Sequence, residues 1–407
     1  MPLPNPSTES RENVRPRKRP ARDRASERRN LAEIREYLKS RRERLDVVKT
    51  TRTPNGQVLD WVPIESQVPR GEIASPPSEC ERVKPVRGRR AEQPVQFELE
   101  LPEAVRGPAG TVPVLRKNLQ RLPSWKNLEQ FLSKHGRRTY SIELDKGDSR
   151  EVPGDGSVHD YAYTAQFVTC YGAQGELSAF DPYLQWSDEF SLLQLALARG
   201  SGSGKQTLEV GWQEYRDLYG DWVPHLFVFY TTNGYTSSGD NVGGYNQDVD
   251  GWVQYSSSIF PETRFSPMST RGGAQYKIVL KVQLYNGNWW VRCNGEWIGY
   301  YPASLYSTSG LRSQAEKIAW YGEVVDSSSH SGNTYTDMAS GYYPSRGWTY
   351  SGYMHNLKYQ SGSGGSLSNY GGGTGSVTNS IWYDVEEHFS SGSTWESYLW
   401  IGGPGAG

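Results

Sequence analysis

The chain has 407 residues, 13% of them aromatic, with 44 Gly, 14 Trp and 27 Tyr, a composition that favours strands and turns over helices and suffices for one large domain plus an accessory region. Formal net charge is -1, yet residues 1–150 carry 32 Lys and Arg against 21 Asp and Glu, and the remainder carries 12 against 24. Three cysteines without a CxxC pair, six histidines without HExxH, and the lack of a GxSxG elbow, a Walker sequence or a long apolar run argue against a disulfide framework, a zincin, an α/β-hydrolase, a P-loop enzyme and a membrane-spanning helix.

The charge asymmetry fits either a nucleic-acid arm or two parts of one chain that attract each other, and the second reading is preferred. Residues 1–25 form a Pro/Arg/Lys-rich tail that cannot bury a core and is expected to be disordered. The same stretch lacks the apolar h-region of a signal peptide, so nothing in it sends the chain out of the cell. From Ser26, Leu31, Ile34, Leu38 and Leu45 fall near helical spacing and predict an amphipathic helix that needs a partner surface.

Asn55-Gly56 then marks a turn beside an alternating strand, with Val58, Asp60 and Val62 on one face and Leu59 and Trp61 on the other. Residues 69–97 read as a Pro- and Arg-rich linker, GPAGTVPVLRKN as a short extended piece, and Ser124 as the cap of a helix, SWKNLEQFLSKH, stopped by Gly136. The polar run 136–157 reads as an exposed linker open to proteolysis. From about Tyr161 onward, short strand-like runs alternate with Gly, Asn, Asp and Ser turns, the pattern of an antiparallel β-sandwich or barrel. Asn286-Gly287 and Asn294-Gly295 mark hairpins, and the Gly/Ser-rich segment 361–376 reads as a flexible loop.

Two of these strands carry a lone carboxylate. In TLEVGW, Glu209 shares a face with Thr207 and Gly211; in IAWYGEVVD, Glu323 shares one with Ala319, Tyr321 and Val325. Gly211 and Gly322 beside them are expected to leave room for a substrate backbone. If the strands pair in one sheet, the two acids face each other across a groove, one as base and one as acid, as amide hydrolysis needs. The competing reading is an exposed Glu on the polar face of each strand, which is the commoner case.

The blocks EVGWQEYRDLYGD, LFVFYTTNGY, YNQDVDGWVQYS, NWWVRCNGEWIGYYPASLY, WYGEVV and YLWIGGPG, in that order, resemble the neprosin family of glutamic endopeptidases. RTPNGQVLDWVPIESQ and GTVPVLRKN look like that family's activation peptide. The resemblance implies catalytic glutamates at Glu209 and Glu323, an all-β antiparallel double-sheet, jelly-roll-like sandwich, and a small mixed α/β pro-region before it. It also implies secretion as a zymogen, activation at acid pH and, as in the founding member, cleavage after proline. On this reading residues 26–120 are the activation peptide, 121–156 a helix and linker with the processing region, and 157–407 the catalytic sandwich. Plant members usually carry a signal peptide and a cysteine pair where this chain has Gly244 and Asp250, so localisation stays open between the family's extracellular or acidic compartment and a chain without a signal peptide.

The expected chemistry needs no metal or organic cofactor: one glutamate activates water, the other protonates the leaving nitrogen, and Glu209 is favoured as base. Trp212, Tyr235, Trp290 and Tyr321 are candidate walls for a proline-containing peptide, against the alternative that each is sandwich core. Expected partners are peptide substrates and the chain's own pro-region, with no nucleic acid and no membrane. The rival readings are a carbohydrate- or peptide-binding sandwich, a jelly-roll glycosidase and a catalytically dead family member.

Overall fold

The computed structural model describes residues 24–78, 92–100, 105–117, 125, 127–134, 157–363, 365–373, 375–392 and 394–407. Most of the expected basic tail, Cys80, Ser124 and nearly all of the 136–157 linker lie outside these residues. Among those described, no helix is long and apolar enough to cross a membrane.

The N-terminal part opens with helix α1 (Arg24–Glu43) and continues with a three-stranded antiparallel sheet of β1 (Lys49–Arg52), β2 (Val58–Pro63) and β3 (Thr111–Arg116). Gly56, at a φ of 87°, turns β1 into β2 at the expected Asn-Gly. Leu59 and Trp61 pack with Leu99 and Phe260, while Asp60 on the other face takes Arg42 and Arg116. Helix α2 (Leu128–Leu132) follows. It is shorter than expected and is capped by Asn127, whose side chain accepts the N–H of Gln130 at 2.8 Å.

The remainder is a two-sheet sandwich. One sheet holds β4 (Val158–Cys170), β6 (Ser191–Arg199), β7 (Gln206–Glu214), β8 (His225–Thr231), β9 (Gly243–Tyr245) and β13 (Ala315–Asp326), in the order β9-β8-β7-β6-β13-β4, ending on the short Ser376–Val377 strand. The facing sheet holds β5 (Gly172–Ser178), β10 (Tyr276–Tyr285), β11 (Asn288–Cys293), β12 (Glu296–Pro302), β14 (Gly352–Gln360), β15 (Asp384–His388) and β16 (Tyr398–Gly402), in the order β12-β11-β10-β5-β14-β16-β15. Leu193, Leu195, Leu208, Val210, Ile318 and Trp320 meet Ile278, Leu280, Val282, Met354 and Ile401 in one core. Both central residues of the β10–β11 and β11–β12 turns, Asn286-Gly287 and Asn294-Gly295, have positive φ, as a two-residue hairpin turn requires.

Several expectations change in detail. The supposed linker 69–97 supplies two short strands: Gln93–Pro94 pairs with β10 and Gln96–Phe97 pairs with Phe265–Ser266. Their partners, Tyr276 for Gln93 and Phe265 for Phe97, lie far along the chain, so no local pattern announces them. The 361–376 segment is partly ordered, with Leu367–Asn369 on β14 and Ser376–Val377 on β4. Of GWVQYSSSIF only Val253–Gln254 is strand, and FDPYL is loop.

The two glycines beside the acids let neighbouring segments of the same chain approach closely. A Cβ on Gly211 would meet the Leu193 carbonyl oxygen at 2.0 Å, and one on Gly322 would meet Met338 Sδ at 2.7 Å and Ile401 Cδ1 at 3.2 Å. Gly322 therefore faces the inter-sheet core. Gly322→Ala is expected to overpack it and cost about 1–3 kcal/mol, read as a lower urea midpoint at unchanged slope. An unchanged midpoint would show that Met338 yields freely.

Candidate active site

Strand register brings the two glutamates together. Along β13, Ala319, Tyr321 and Glu323 lie opposite Ala196, Gln194 and Leu192 of β6, and Ala196 and Gln194 lie opposite Glu209 and Gly211 of β7. Glu209 and Glu323 thus share the outer face with one strand between them, offset by two same-face positions, and Gln194 stands midway. The segment SLLQLALA is buried on both faces, so its single amide must find polar partners inside. Gln194 Nε2 donates to Glu209 Oε2 at 2.9 Å.

Each carboxylate has its own partners. Glu209 Oε1 accepts from the Tyr235 hydroxyl at 2.6 Å and from Thr207 at 2.9 Å, and its Oε2 accepts from Tyr321 at 3.3 Å. Glu323 Oε1 lies 2.5 Å from His159 Nδ1 and accepts from the Tyr161 hydroxyl at 3.1 Å. Burial, reinforced by the charges of Glu209 and Glu323, pushes the Tyr321 hydroxyl well up, which keeps it a donor.

Between the acids sits a cation from the N-terminal part. Lys134 Nζ donates to Glu209 Oε2 at 2.9 Å and to Glu323 Oε2 at 2.6 Å, and all three side chains are at most 2% exposed. Helix α2 delivers it: Phe131 packs edge-on to Trp125, Trp125 packs on Tyr215, and the Leu132 carbonyl lies so close to Gly244 that a Cβ there would sit 3.0 Å from it. Burial by itself would raise the Glu209 carboxyl, but the Lys134 charge and the Tyr235 hydrogen bond outweigh it and hold that group below its usual range.

The same pairing of N-terminal cation and sandwich acids recurs elsewhere. Lys117 is buried against Glu262 and, at 3.0 Å, Asp248. Arg41 reaches Asp240 at 2.5 Å and Asp250 at 2.9 Å, and Arg44 reaches the same two acids at 3.1 Å. The charge asymmetry between the halves thus corresponds to direct ion pairs between them.

Of the four aromatic candidates, Tyr235 and Tyr321 reach the site and Trp212 and Trp290 do not. Trp212 points into the inter-sheet core and donates Nε1 to the Ser178 carbonyl at 2.8 Å. Trp290 lies on the opposite sheet, among Val253, Trp297 and Tyr300. Sequence reasoning missed Lys134, His159, Tyr161 and Gln194, and placed Thr207 on the face of Glu209 without giving it a role. The lone Gln in an apolar strand was a usable signal for one of them; Lys134 had none.

One group of metal-ligand type occurs among the described residues: Glu92, Glu176 and His355, with ligand atoms within 4.8 Å of one another. The Lys277 ammonium pairs with both carboxylates and already supplies the positive charge there.

A family model described as Neprosin matches residues 187–404. Solved structures with similarity include CG-16, a homodimeric agglutinin from chicken liver, at 9% identity and a TM-score of 0.22, covering 41% of this chain and 96% of that one. An apo Crh5 transglycosylase is 10% identical with a TM-score of 0.24, covering 45% and 65% of the two chains. The β-porphyranase BpGH16B from the human gut bacterium Bacteroides plebeius is 10% identical with a TM-score of 0.17, covering 46% and 64%. Likeness this distant carries no weight for fold or activity.

Because Lys134 depresses the Glu209 carboxyl, the stability of this contact is fully present above the ordinary carboxylate range and is lost as pH falls through the lowered value. Lys134→Met leaves two buried carboxylates facing each other and is expected to cost about 3–5 kcal/mol at neutral pH. The cost should shrink strongly in acid, where protonation relieves the repulsion, and urea denaturation at the two pH values checks this. An equal cost at both would contradict the ion-pair account.

Proposed function

The chain belongs to the neprosin family, which implies a protease-type hydrolase, and on that premise we propose that it is a glutamic endopeptidase made as a zymogen, with Glu209 and Glu323 as its catalytic pair. The observation that carries the proposal is the buried Lys134 ammonium shared by these two carboxylates. Two acids built on separate strands to converge at one point, and bridged there by one ammonium from the N-terminal part, fit an active site held shut.

In the proposed reaction the N-terminal part leaves, and a water takes the place of the Lys134 ammonium between the acids. Glu209 keeps donors from Thr207, Gln194, Tyr235 and Tyr321, which favour its ionised form, so it acts as base toward the water. Glu323, protonated, polarises the scissile carbonyl and then gives its proton to the leaving nitrogen. Two close acids share one proton, so activity belongs to acid pH. Departure of Lys134, which sits 5.7 Å from the centroid of the Tyr321 ring, frees that ring for a proline-containing peptide, the substrate class proposed here.

Acid also opens the lock. Below the lowered range of Glu209, protonation removes the attraction that seats Lys134. The Asp240 carboxyl is pushed up by burial but held below its usual range by the Asp250 N–H and Arg41, so the outer contact weakens in the same direction. Both changes favour release of the N-terminal part as an inhibitor that is stable only near neutral pH.

Cleavage of a proline-containing quenched peptide from acid to neutral pH, after acid incubation, tests the proposal. Wild type is expected to cleave in acid, and Glu209→Gln and Glu323→Gln to lose at least about a hundredfold in rate. Activity surviving in either variant would break the pair. A folded, processed wild type that cleaves nothing would favour a binding sandwich.

A further inference from the structure

The two glutamates differ in the kind of partner they keep. Once Lys134 leaves, the donors around Glu209 are two tyrosines, a threonine and a glutamine, all neutral. Glu323 keeps His159, the residue type whose charge ordinarily changes between about pH 5 and 8. On β4, His159 and Tyr161 lie opposite Val325 and Glu323 of β13, so both reach the same carboxylate oxygen, Oε1, from one strand. The other oxygen, Oε2, is the one Lys134 holds and the one turned toward Glu209.

His159 has no exposure, and its ring lies between Tyr161, stacked at 6.0 Å and 15°, and Phe190, edge-on at 6.0 Å. Among the described residues, the groups that face the His159–Glu323 pair include Tyr161 on its own strand, Tyr321 on β13, Phe190 leading into β6, Lys134 across the far oxygen, and Glu209 beyond it on β7. A ring fixed this way cannot turn its Nδ1 off Glu323 without repacking two aromatic neighbours.

We infer that His159 is a positioning residue for the proposed reaction: it fixes Oε1 so that Oε2 faces Glu209, and its charge in acid confines the protonated form of Glu323 to low pH. The inference rests on the reading of Glu209 and Glu323 as a peptidase pair. An imidazolium held against Glu323 Oε1 favours the carboxylate form of that glutamate. Glu323 becomes an acid only on a second proton, added against that charge. His159 thereby helps keep the pair inactive near neutral pH even after Lys134 has gone. An Asn at this position keeps an N–H where Nδ1 stood and removes the charge.

The test compares wild type with His159→Asn and His159→Ala, each expressed as the full chain, processed in acid and shown to unfold cooperatively. In His159→Asn the alkaline limb of the kcat/KM profile is expected to move up by about one pH unit, the least effect of losing a close opposite charge, while KM stays within about twofold. His159→Ala is expected to move the limb the same way and to lose more in kcat, because the donor is gone as well. An alkaline limb that stays in place in active His159→Asn protein overturns the inference. A readout independent of cleavage uses 15N-histidine NMR on the full chain: the His159 ring is expected to lose its charge at lower pH in Glu323→Gln than in wild type. If wild type cleaves nothing while that difference holds, the peptidase reading fails and the His159–Glu323 pairing stands. If the ring titrates alike in both proteins, the pairing itself is refuted.

Discussion

Two carboxylates buried within reach of one ammonium cannot both stay charged once that ammonium is withdrawn. Glu209, Glu323 and Lys134 meet this condition on the outer face of one sheet, and much of the surrounding structure follows from it. Among the described residues, Thr207, Gln194, Tyr235 and Tyr321 also hold Glu209 in place, and Tyr161 and His159 hold Glu323. The aromatic contacts of Trp125 and Phe131 and the missing side chain at Gly244 serve to bring the end of α2 to the same point.

The N-terminal part follows the same logic. Its cations, Arg41, Arg44, Lys117 and Lys134, are each matched with a pair of acids on the sandwich. Such contacts are strong near neutral pH and weaken when carboxylates take up protons, whereas the apolar contacts of Trp61, Leu99 and Phe260 do not respond to pH. An interface that leans on ion pairs, those of Lys117 and Lys134 buried and those of Arg41 and Arg44 partly exposed, is thus suited to letting go in acid while the sandwich core stays folded.

The all-β class and the positions of the two acids were legible because they rest on local patterns: alternation along β7 and β13, Asn-Gly at two hairpins, and the ordered family blocks from EVGWQEY to YLWIGG. The identity of the face partners was not, since it depends on which strands become neighbours. Gln194 matters because β6 inserts between β7 and β13, and His159 matters because β4 flanks β13; neither adjacency is written in the strands themselves. Trp212 shows the converse error, an aromatic next to a catalytic candidate in sequence but on the opposite face of its strand. Lys134 lies two residues past the end of a short helix, in a segment that gives no sign of its destination.

The most direct test of the central claim follows intact mass and peptide cleavage on one wild-type sample through an acid time course. The account predicts that cleavage rises in step with the loss of the portion that carries Lys134, and that the uncut chain returned to neutral pH is silent. Full activity at neutral pH from molecules that still retain residues 24–134 would mean that Lys134 does not close the site.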